Sequence, residues 1–561
     1  MPDKKRKIRK RLLRVLLAIA VLLIVFILVF RALVIINPPE VNDNGYTGLK
    51  RSTAGINDFT INDNFIKKND LGLWEMYVSG KPFERGVING KLSEELIHSQ
   101  EVAFVKMIKE LIPNDFYLNF LKYLVAWFDR DLEEYVPVEY QKEIYGVSLY
   151  ASPDFDFIGS GYQRMLNYHA AHDIGHAMQN LNLVACTSFG VWDEFSSDSS
   201  LLIGRNFDFQ AGDDFSKDKI VFFVSPDKGF DFAFITWGGF IGVVSGMNMQ
   251  GLTVTLNAAK SAIPFKAKTP VSIVGRAILQ YASNIDEAFA IAQKYETFVS
   301  ETFLIGSEND GYAALIEKSL DTTVLFRLNK NYIIATNHFQ DKAFAKTKLN
   351  IENRENETSV YRYQRVDELI NEYGKLDYLK AAAILRDQKG LHDKDIGMTN
   401  EKAINQLIAH HSVIFKPNEK LMWVSTQPYQ LGKYVCYDLK EVFSNSKFKN
   451  SVTFSVDSLE IPVDSFLGSD KYKDFLYYKD FVNKTRNENF KDISEKDVKR
   501  FIESNPEFYY TYDKIGDYYH FHNNNVKSVE FYNFALRKEV SSKTERDRII
   551  SKISKLKESN E

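Results

Sequence analysis

Near its start the chain carries an unbroken apolar run, residues 15–30, held between Arg14 and Arg31. Snorkelling of those two arginines extends it to the ~20 residues a bilayer span needs. After a polar, linker-like stretch at 42–64 and a glycine-rich turn region at 80–86, apolar residues recur with helical period over 93–111, with Ser93 as the expected N-cap, and again over 116–128 and 164–181. From Cys186 the period shortens. Residues 185–192 and 202–209, separated by the polar break Ser196-Ser197-Asp198-Ser199-Ser200, read as a β-hairpin with Cys186 at the start of its first strand. Short strands follow at 221–224, 232–237, 241–245 and 252–257, then helices at 271–282 and 285–295, the second capped by Ser283 or Asn284. Asn309-Asp310-Gly311 marks a further hairpin, strands are expected at 324–328 and 332–337, helices at 360–372 and 379–386, and strands at 412–415 and 421–425.

Beyond residue 445 the chain is rich in Asp, Lys, Tyr and Phe and turns helical from Ser494. Within 506–540, Gly516, Tyr518, Tyr519, Ser528, Tyr532 and Ala535 are spaced loosely like a tetratricopeptide unit, although plain amphipathic helices fit as well. A single unit cannot bury its own face, so these helices are expected to pack on the main domain or on a protein partner. Blocks of strands separated by helix pairs imply an α+β fold with sheets covered by helices.

The net charge of −3 conceals an asymmetry, because residues 1–14 hold eight Lys or Arg against one Asp. That leaves a mildly acidic body, which argues against nucleic-acid binding. The basic head places the N-terminus in the cytoplasm and the rest outside it, periplasmic if the source is bacterial. A cleaved signal peptide is the alternative, but no small-x-small cleavage site follows the run. Only Cys186 and Cys436 are present, so neither a disulfide framework nor a cysteine zinc site is expected. His169, His172 and His176 fall on one helical face and in principle could bind a metal, but no carboxylate accompanies them as in a zinc protease.

Four short motifs follow in order: Cys-Thr-Ser-Phe from Cys186, Gly-Arg-Asn-x-Asp from Gly204, Gly-Met-Asn-x-x-Gly-Leu from Gly246, and Thr-Asn-His-Phe from Thr336. Together they resemble the N-terminal-nucleophile (Ntn) hydrolases, in the branch of the penicillin acyltransferases and conjugated bile-acid hydrolases. The resemblance covers about residues 80–443 and leaves out the membrane head and the tail. It implies a four-layer αββα sandwich at 186–445 preceded by a helical pro-segment, which with the linker spans 38–185; the apolar run and the tail pattern add an expected anchor at 1–37 and a helical extension at 446–561. It implies no cofactor and no metal. It also implies self-cleavage between Ala185 and Cys186, which frees an α-amine with a reference pKa of about 7.7 to 8.0. Nucleophile and base then belong to one residue.

The resemblance assigns Arg205 and Asp208 to the sulfur and amine of Cys186, Asn257 to the oxyanion hole, Asn337 to a second polar position at the site, and Arg362 to a distal arginine. Plainer readings exist for each: a surface ion pair for Arg205 and Asp208, turn residues for Asn257 and Asn337, and an exposed helix position for Arg362. Two departures are visible. The family usually has glycine where Ala185 stands, and 185 residues precede Cys186. The expected activity is hydrolysis or transfer of an acyl group at a linear amide, with an N-acyl amino acid or amide-linked lipid as substrate. The rival is an inactive membrane-tethered binding module that uses the helical tail.

Overall fold

The computed structural model of the protein describes residues 2–112, 114–177, 184–209, 212–262, 264–444 and 454–558. It is a mixed α/β structure with, among these residues, one sheet of eleven strands and one of six. The hairpin around Cys186, strands Val184–Asp193 and Ser199–Phe209, lies inside the smaller sheet, between Tyr332–Ala335 on one side and Ala409–Lys416 on the other. Asp198 turns it, its Oδ1 accepting from Ser200 N–H at 3.1 Å and Ser200 Oγ at 2.7 Å. Gly204 is required within it. A Cβ there would stand 2.5 Å from the Phe189 ring, which lies across the strand at that point.

Side-chain alternation sorts the packing around the two sheets into three main clusters. Ile203, Val413 and Val424 of the smaller sheet meet Val221, Ile235 and Leu315 of the larger one. The other face of the larger sheet packs Phe222, Phe234 and Leu256 on helix residues such as Ile88, Ile144 and Ile278. The other face of the smaller sheet packs Phe189, Ile334 and Trp423 on Val366, Leu369 and Ile384.

Several expectations differ from the structure. The stretch at 42–64 is not a linker, because Ser52–Gly55, Asp58–Ile61 and Asn64–Lys68 form an antiparallel meander. The meander continues through Trp74–Gly80, which pairs in parallel with Ile220–Pro226 and so joins the segment before Cys186 to the larger sheet. Gly80 does turn the chain, with φ at 113°, but Gly86 marks a close helix crossing rather than a loop. Helix Pro82–Leu92 touches helix Val138–Ser148 where a Cβ on Gly86 would lie 2.0 Å from Glu143 O and one on Gly146 2.6 Å from Val87 N. Ser93 precedes helix Glu94–Leu111 but does not cap it; its hydroxyl donates to Asn89 O. Asn284 does cap the helix that follows it, accepting from Glu287 N–H at 2.9 Å. The strand expected at 241–245 begins only at Ser245 and runs to Asn248.

The smaller sheet extends one strand beyond the expected 421–425, with Tyr434–Asp438 at its edge. The tail becomes helical at Asp470–Lys484, before Ser494, which caps Glu495–Ser504. Its helices Tyr509–Phe521 and Asn525–Arg537 pack closely because Gly516 leaves room for the Tyr532 ring. The tail sits on the main domain through the reciprocal Met398–Asn505 hydrogen bonds and through Glu539, whose carboxylate pairs with Lys394 and Lys402. Among the described residues one helix, Arg6–Val34 within Pro2–Val34, is long and apolar enough to cross a membrane.

Helices on either side of the hairpin in sequence are tied together by a buried ion cluster. Glu143 lies between Arg85 Nη2 (2.7 Å) and Arg276 Nη2 (3.2 Å), all three nearly inaccessible. The two guanidiniums hold the Glu143 carboxyl below its ordinary range although burial opposes this. Removing one member of such a cluster strands the others in a low-dielectric interior. Glu143→Ala is therefore expected to cost about 3–5 kcal/mol, read as a lowered thermal or denaturant midpoint; a change under ~1 kcal/mol would show that the arginines find other acceptors.

Candidate active site

Register in the hairpin decides which side chains can meet. Cys186 pairs with Phe207, Ser188 with Arg205, and Ala185 with Asp208. Arg205 therefore rises on the same face as the Cys186 thiol, while Asp208 lies on the opposite face, next to Ala185. Cys186, Arg205 and Asp208 are almost wholly buried, which excludes the surface ion-pair reading.

Arg205 is held by acceptors on the larger sheet and on the segment leading to it. Its Nη1 donates to Val244 O (2.9 Å) and Ser245 Oγ, its Nη2 donates to Leu256 O, and Nη2 lies 3.5 Å from Cys186 Sγ. The guanidinium also stacks on the Phe207 ring, 4.6 Å from its centroid. Burial lowers its basicity. Burial also pushes the Cys186 thiol up to about 11 despite the neighbouring cation, so the thiol is protonated near neutrality in the intact chain.

The other face belongs to Arg362, near the start of helix Ser359–Tyr373. Its Nη1 donates to Cys186 O (2.6 Å) and Thr187 Oγ1 (2.9 Å), and its Nη2 to Asn337 Oδ1 (2.6 Å). Asn337 Oδ1 also accepts the Cys186 backbone N–H at 3.1 Å, and Asn337 Nδ2 donates to Ala258 O at 2.8 Å. Both residues are buried, so neither is an exposed helix residue or a surface turn.

Asn257 meets the cysteine's strand two residues along from the thiol. Its Oδ1 accepts from Ser188 Oγ (2.8 Å) and its Nδ2 donates to Ala335 O (3.1 Å), leaving one N–H of the amide unassigned. Asp208 has no hydrogen-bond partner on either oxygen among the described residues. Burial raises its carboxyl to about 7, with Arg362 and then Arg205 pulling the other way. Ala185 lies in extended, paired backbone outside the left-handed region, so the residue in glycine's usual place is not strained.

Three features are not predicted from the sequence. Glu301 is wholly buried, with no hydrogen-bond partner on either oxygen among the described residues, and it is coupled electrostatically to Cys186 and Arg205. Burial raises the Glu301 carboxyl well above its ordinary range, and Asp173, on the helix that precedes the hairpin, adds to this. His411 accepts or donates at Ser245 Oγ (2.8 Å), which places it behind Arg205. Charged or polar residues at buried positions of largely apolar strands are the only signal for Glu301 and His411.

No cluster that could hold a metal occurs among the described residues. His169 is a packing residue, with Nδ1 on Met165 O at 2.7 Å and Nε2 accepting Ile241 N–H at 2.9 Å. The side chains of His172 and His176 lie outside the described residues.

Of the aromatic residues near the hairpin, Phe209, Trp237 and Phe240 line an apolar cavity with Phe104, Met165 and Phe215. Phe189, Trp192 and Phe234 belong to the hydrophobic core. Phe209 stacks on Phe207, centroids 5.8 Å apart, and also borders a cleft of about 630 Å³ walled partly by tail residues Phe475, Tyr478 and Phe508.

A raised carboxyl pKa has a definite linkage. The folded chain binds the Asp208 proton more tightly than the unfolded chain, so this residue contributes stability at low pH that is lost as pH rises from about 4 to about 7. Asp208→Asn lacks that loss. The midpoint difference, wild type minus variant, should fall across this window and level off above it; a constant difference would show that Asp208 is not held neutral.

Residues 195–427 match the family model described as acyl-coenzyme A:6-aminopenicillanic acid acyl-transferase. The matched stretch contains Arg205, Asp208, Asn257, Asn337 and Arg362, and begins just after Cys186. Among curated proteins, an uncharacterized protein of Archaeoglobus fulgidus is 27% identical over 279 residues, 46% of each chain. Protein dcd1B of Dictyostelium discoideum is 23% identical over 277 residues, 46% of this chain and 52% of its own. The chain spans about half the length of the curated relatives it matches.

Among solved structures, the Caenorhabditis elegans ortholog of N-acylethanolamine-hydrolyzing acid amidase is 16% identical, covering 42% of this chain and 93% of its own, with a TM-score of 0.30. A mutant conjugated bile acid hydrolase from Clostridium perfringens is 12% identical, covering 45% and 93%, with a TM-score of 0.31. TM-scores this low carry no weight. The family match stands on its own: over residues 195–427 the chain has the sequence pattern of the penicillin acyltransferase family, and three of the four motifs, those from Gly204, Gly246 and Thr336, lie within it, while Cys-Thr-Ser-Phe at 186–189 precedes it.

Proposed function

We propose that this chain is a membrane-anchored cysteine Ntn enzyme that hydrolyses or transfers an acyl group at a linear amide outside the cytoplasm. On this reading the two sheets and their helices are a four-layer αββα sandwich, residues 38–185 are a pro-segment, and Cys186 is the nucleophile. One observation carries the proposal: Arg205, Asn337 and Arg362 converge on the sulfur, the backbone N–H and the carbonyl of the same cysteine.

Maturation would begin with attack of Cys186 Sγ on the Ala185 carbonyl carbon. The C–N bond breaks, the acyl group moves to sulfur, and water opens the thioester to leave an Ala185 carboxylate and a free α-amine. That amine gains the role the intact chain lacks, because a buried thiol held near 11 needs an adjacent base. The unpartnered Asp208 carboxylate and Asn337 Oδ1 are the acceptors available to orient it.

In turnover the amine takes the thiol proton and the thiolate attacks the substrate's acyl carbon. The second N–H of Asn257 is the proposed oxyanion donor, a contribution often worth ~3 kcal/mol. The departing amine leaves protonated, and water or a second amine resolves the acyl-cysteine. Amidase and acyltransferase differ only in that last step.

Purified protein separates this reading from an inactive binding module. Intact-mass and N-terminal analysis should show two associated chains, the second starting at Cys186, whereas Cys186→Ala remains a single chain close to the full 64.7 kDa. Wild type that stays uncut yet hydrolyses amides would overturn the Ntn mechanism, and wild type that is uncut and inactive would favour the binding module.

Phe209, Phe215, Trp237 and Phe240 offer an apolar surface to the acyl part of the substrate, but the cavity they enclose, about 30 Å³, has to widen to admit an acyl chain. With about 0.8 kcal/mol per buried methylene, kcat/KM should climb steeply along a series of N-acyl glycines. A flat or falling profile from short to long chains would remove the lipid-amide assignment and leave a general amidase.

A further inference from the structure

Helix Asp115–Phe128 has no place in the proposed chemistry, and it lies outside the segment that matches the family. Its sequence nonetheless departs sharply from an ordinary surface helix. Phe116, Phe120, Tyr123, Leu124 and Trp127 recur at i, i+4, i+7, i+8 and i+11, the spacing of a single face. In a water-soluble domain that face is buried. Here all five side chains are exposed, Phe116 to 86%.

The helix is properly formed, with the Asn114 side chain accepting from Tyr117 N–H at 3.0 Å. It does not stand alone. Phe157, Ile158 and Phe265 are also exposed, and Lys122 reaches Phe157 O while Ala267 N–H donates to Phe128 O, so both neighbouring loops adjoin the helix.

What covers this face is indicated by its neighbour. The Trp127 ring stacks on Phe30 with centroids 5.9 Å apart, and Tyr123 meets the same ring edge-on at 6.2 Å. Phe30 is the last residue of the unbroken apolar run, directly before Arg31. A helix docked there lies at the depth where a span leaves the hydrocarbon, the layer in which tryptophan and tyrosine collect. Cations are placed to match. Arg130 lies over the Trp127 ring at 4.2 Å, and Lys122 and Arg31 are adjacent in sequence to the stacked rings, within reach of lipid phosphates.

We infer that helix Asp115–Phe128 lies flat in the membrane interface, its aromatic face among the lipid acyl chains, as a second membrane contact beside the N-terminal span. This rests on reading the span as membrane-crossing. Such a helix fixes the tilt of the catalytic domain, which a single span attached to a chain does not do.

Tryptophan fluorescence tests this directly, because four of the five tryptophans (Trp74, Trp192, Trp237, Trp423) are at most 7% exposed and Trp127 is 42% exposed. The full chain is reconstituted in nanodiscs of phosphatidylcholine with either plain or brominated acyl chains. Brominated lipid should quench a share of the emission approaching one fifth, the share of one tryptophan in five, and Trp127→Phe should abolish the difference. Phe116→Ser with Phe120→Ser, which leaves every tryptophan in place, should weaken the quenching while circular dichroism stays unchanged. Equal emission in the two lipids from chains that co-elute with the discs would overturn the interfacial helix and leave the span intact. Failure of the chain to enter discs at all would remove the span, and the proposal with it.

Discussion

Two fully buried guanidiniums, one on each face of the strand that carries Cys186, set the terms for everything around them. A buried cation must be given acceptors or it unfolds its surroundings. Arg205 takes the carbonyls of Val244 and Leu256, so strand Leu252–Ala258 and the segment leading into strand Ser245–Asn248 must present those oxygens at the hairpin. Arg362 takes the carbonyl of Cys186 and the amide oxygen of Asn337, so the start of its helix is pinned to the strand edge. The positions of both sheets and of one covering helix thus follow from where two charges can be satisfied. Asp208 and Glu301, the acidic groups that feel these charges, are left without hydrogen bonds among the described residues. That arrangement is costly for stability alone and intelligible at a site built to receive another polar group.

Much of this site is legible in the sequence because short-range rules govern it. A cysteine at the head of one alternating run and Gly-Arg-Asn-x-Asp in the next fix a hairpin register, and register alone brings Arg205 to the thiol. Asn337 and Arg362 come from the resemblance, and no local pattern could have placed them, since they reach Cys186 across more than 150 residues of chain. Glu301 is illegible for a different reason. It begins a strand whose remaining residues are mostly apolar, and a strand-end carboxylate looks the same in sequence whether it faces water or a buried cavity.

The segment before Cys186 is the least legible, for one physical cause. Its strands are short and carry Thr, Asn, Asp and Lys, because they form the outer strands of the larger sheet and are half wet. Its glycines look like turns, yet Gly86 and Gly146 let two helices touch backbone to backbone. A glycine in a helix crossing and a glycine in a loop are indistinguishable until the partner helix is known.

Trp74–Gly80 pairs residue by residue with Ile220–Pro226, and this parallel pairing joins chain from before Cys186 to chain from after it inside one sheet. Parallel pairing between segments so far apart in sequence is slow to form and depends on the covalent connection to bring the strands together. A molecule cut before Cys186 would keep the sheet but lose that connection. Its unfolding would become dissociation into two unequal fragments, its refolding a second-order reaction, and its lifetime a matter of barrier height rather than equilibrium. Such a protein has one opportunity to fold, as a single chain, and afterwards endures only as long as the sheet stays closed.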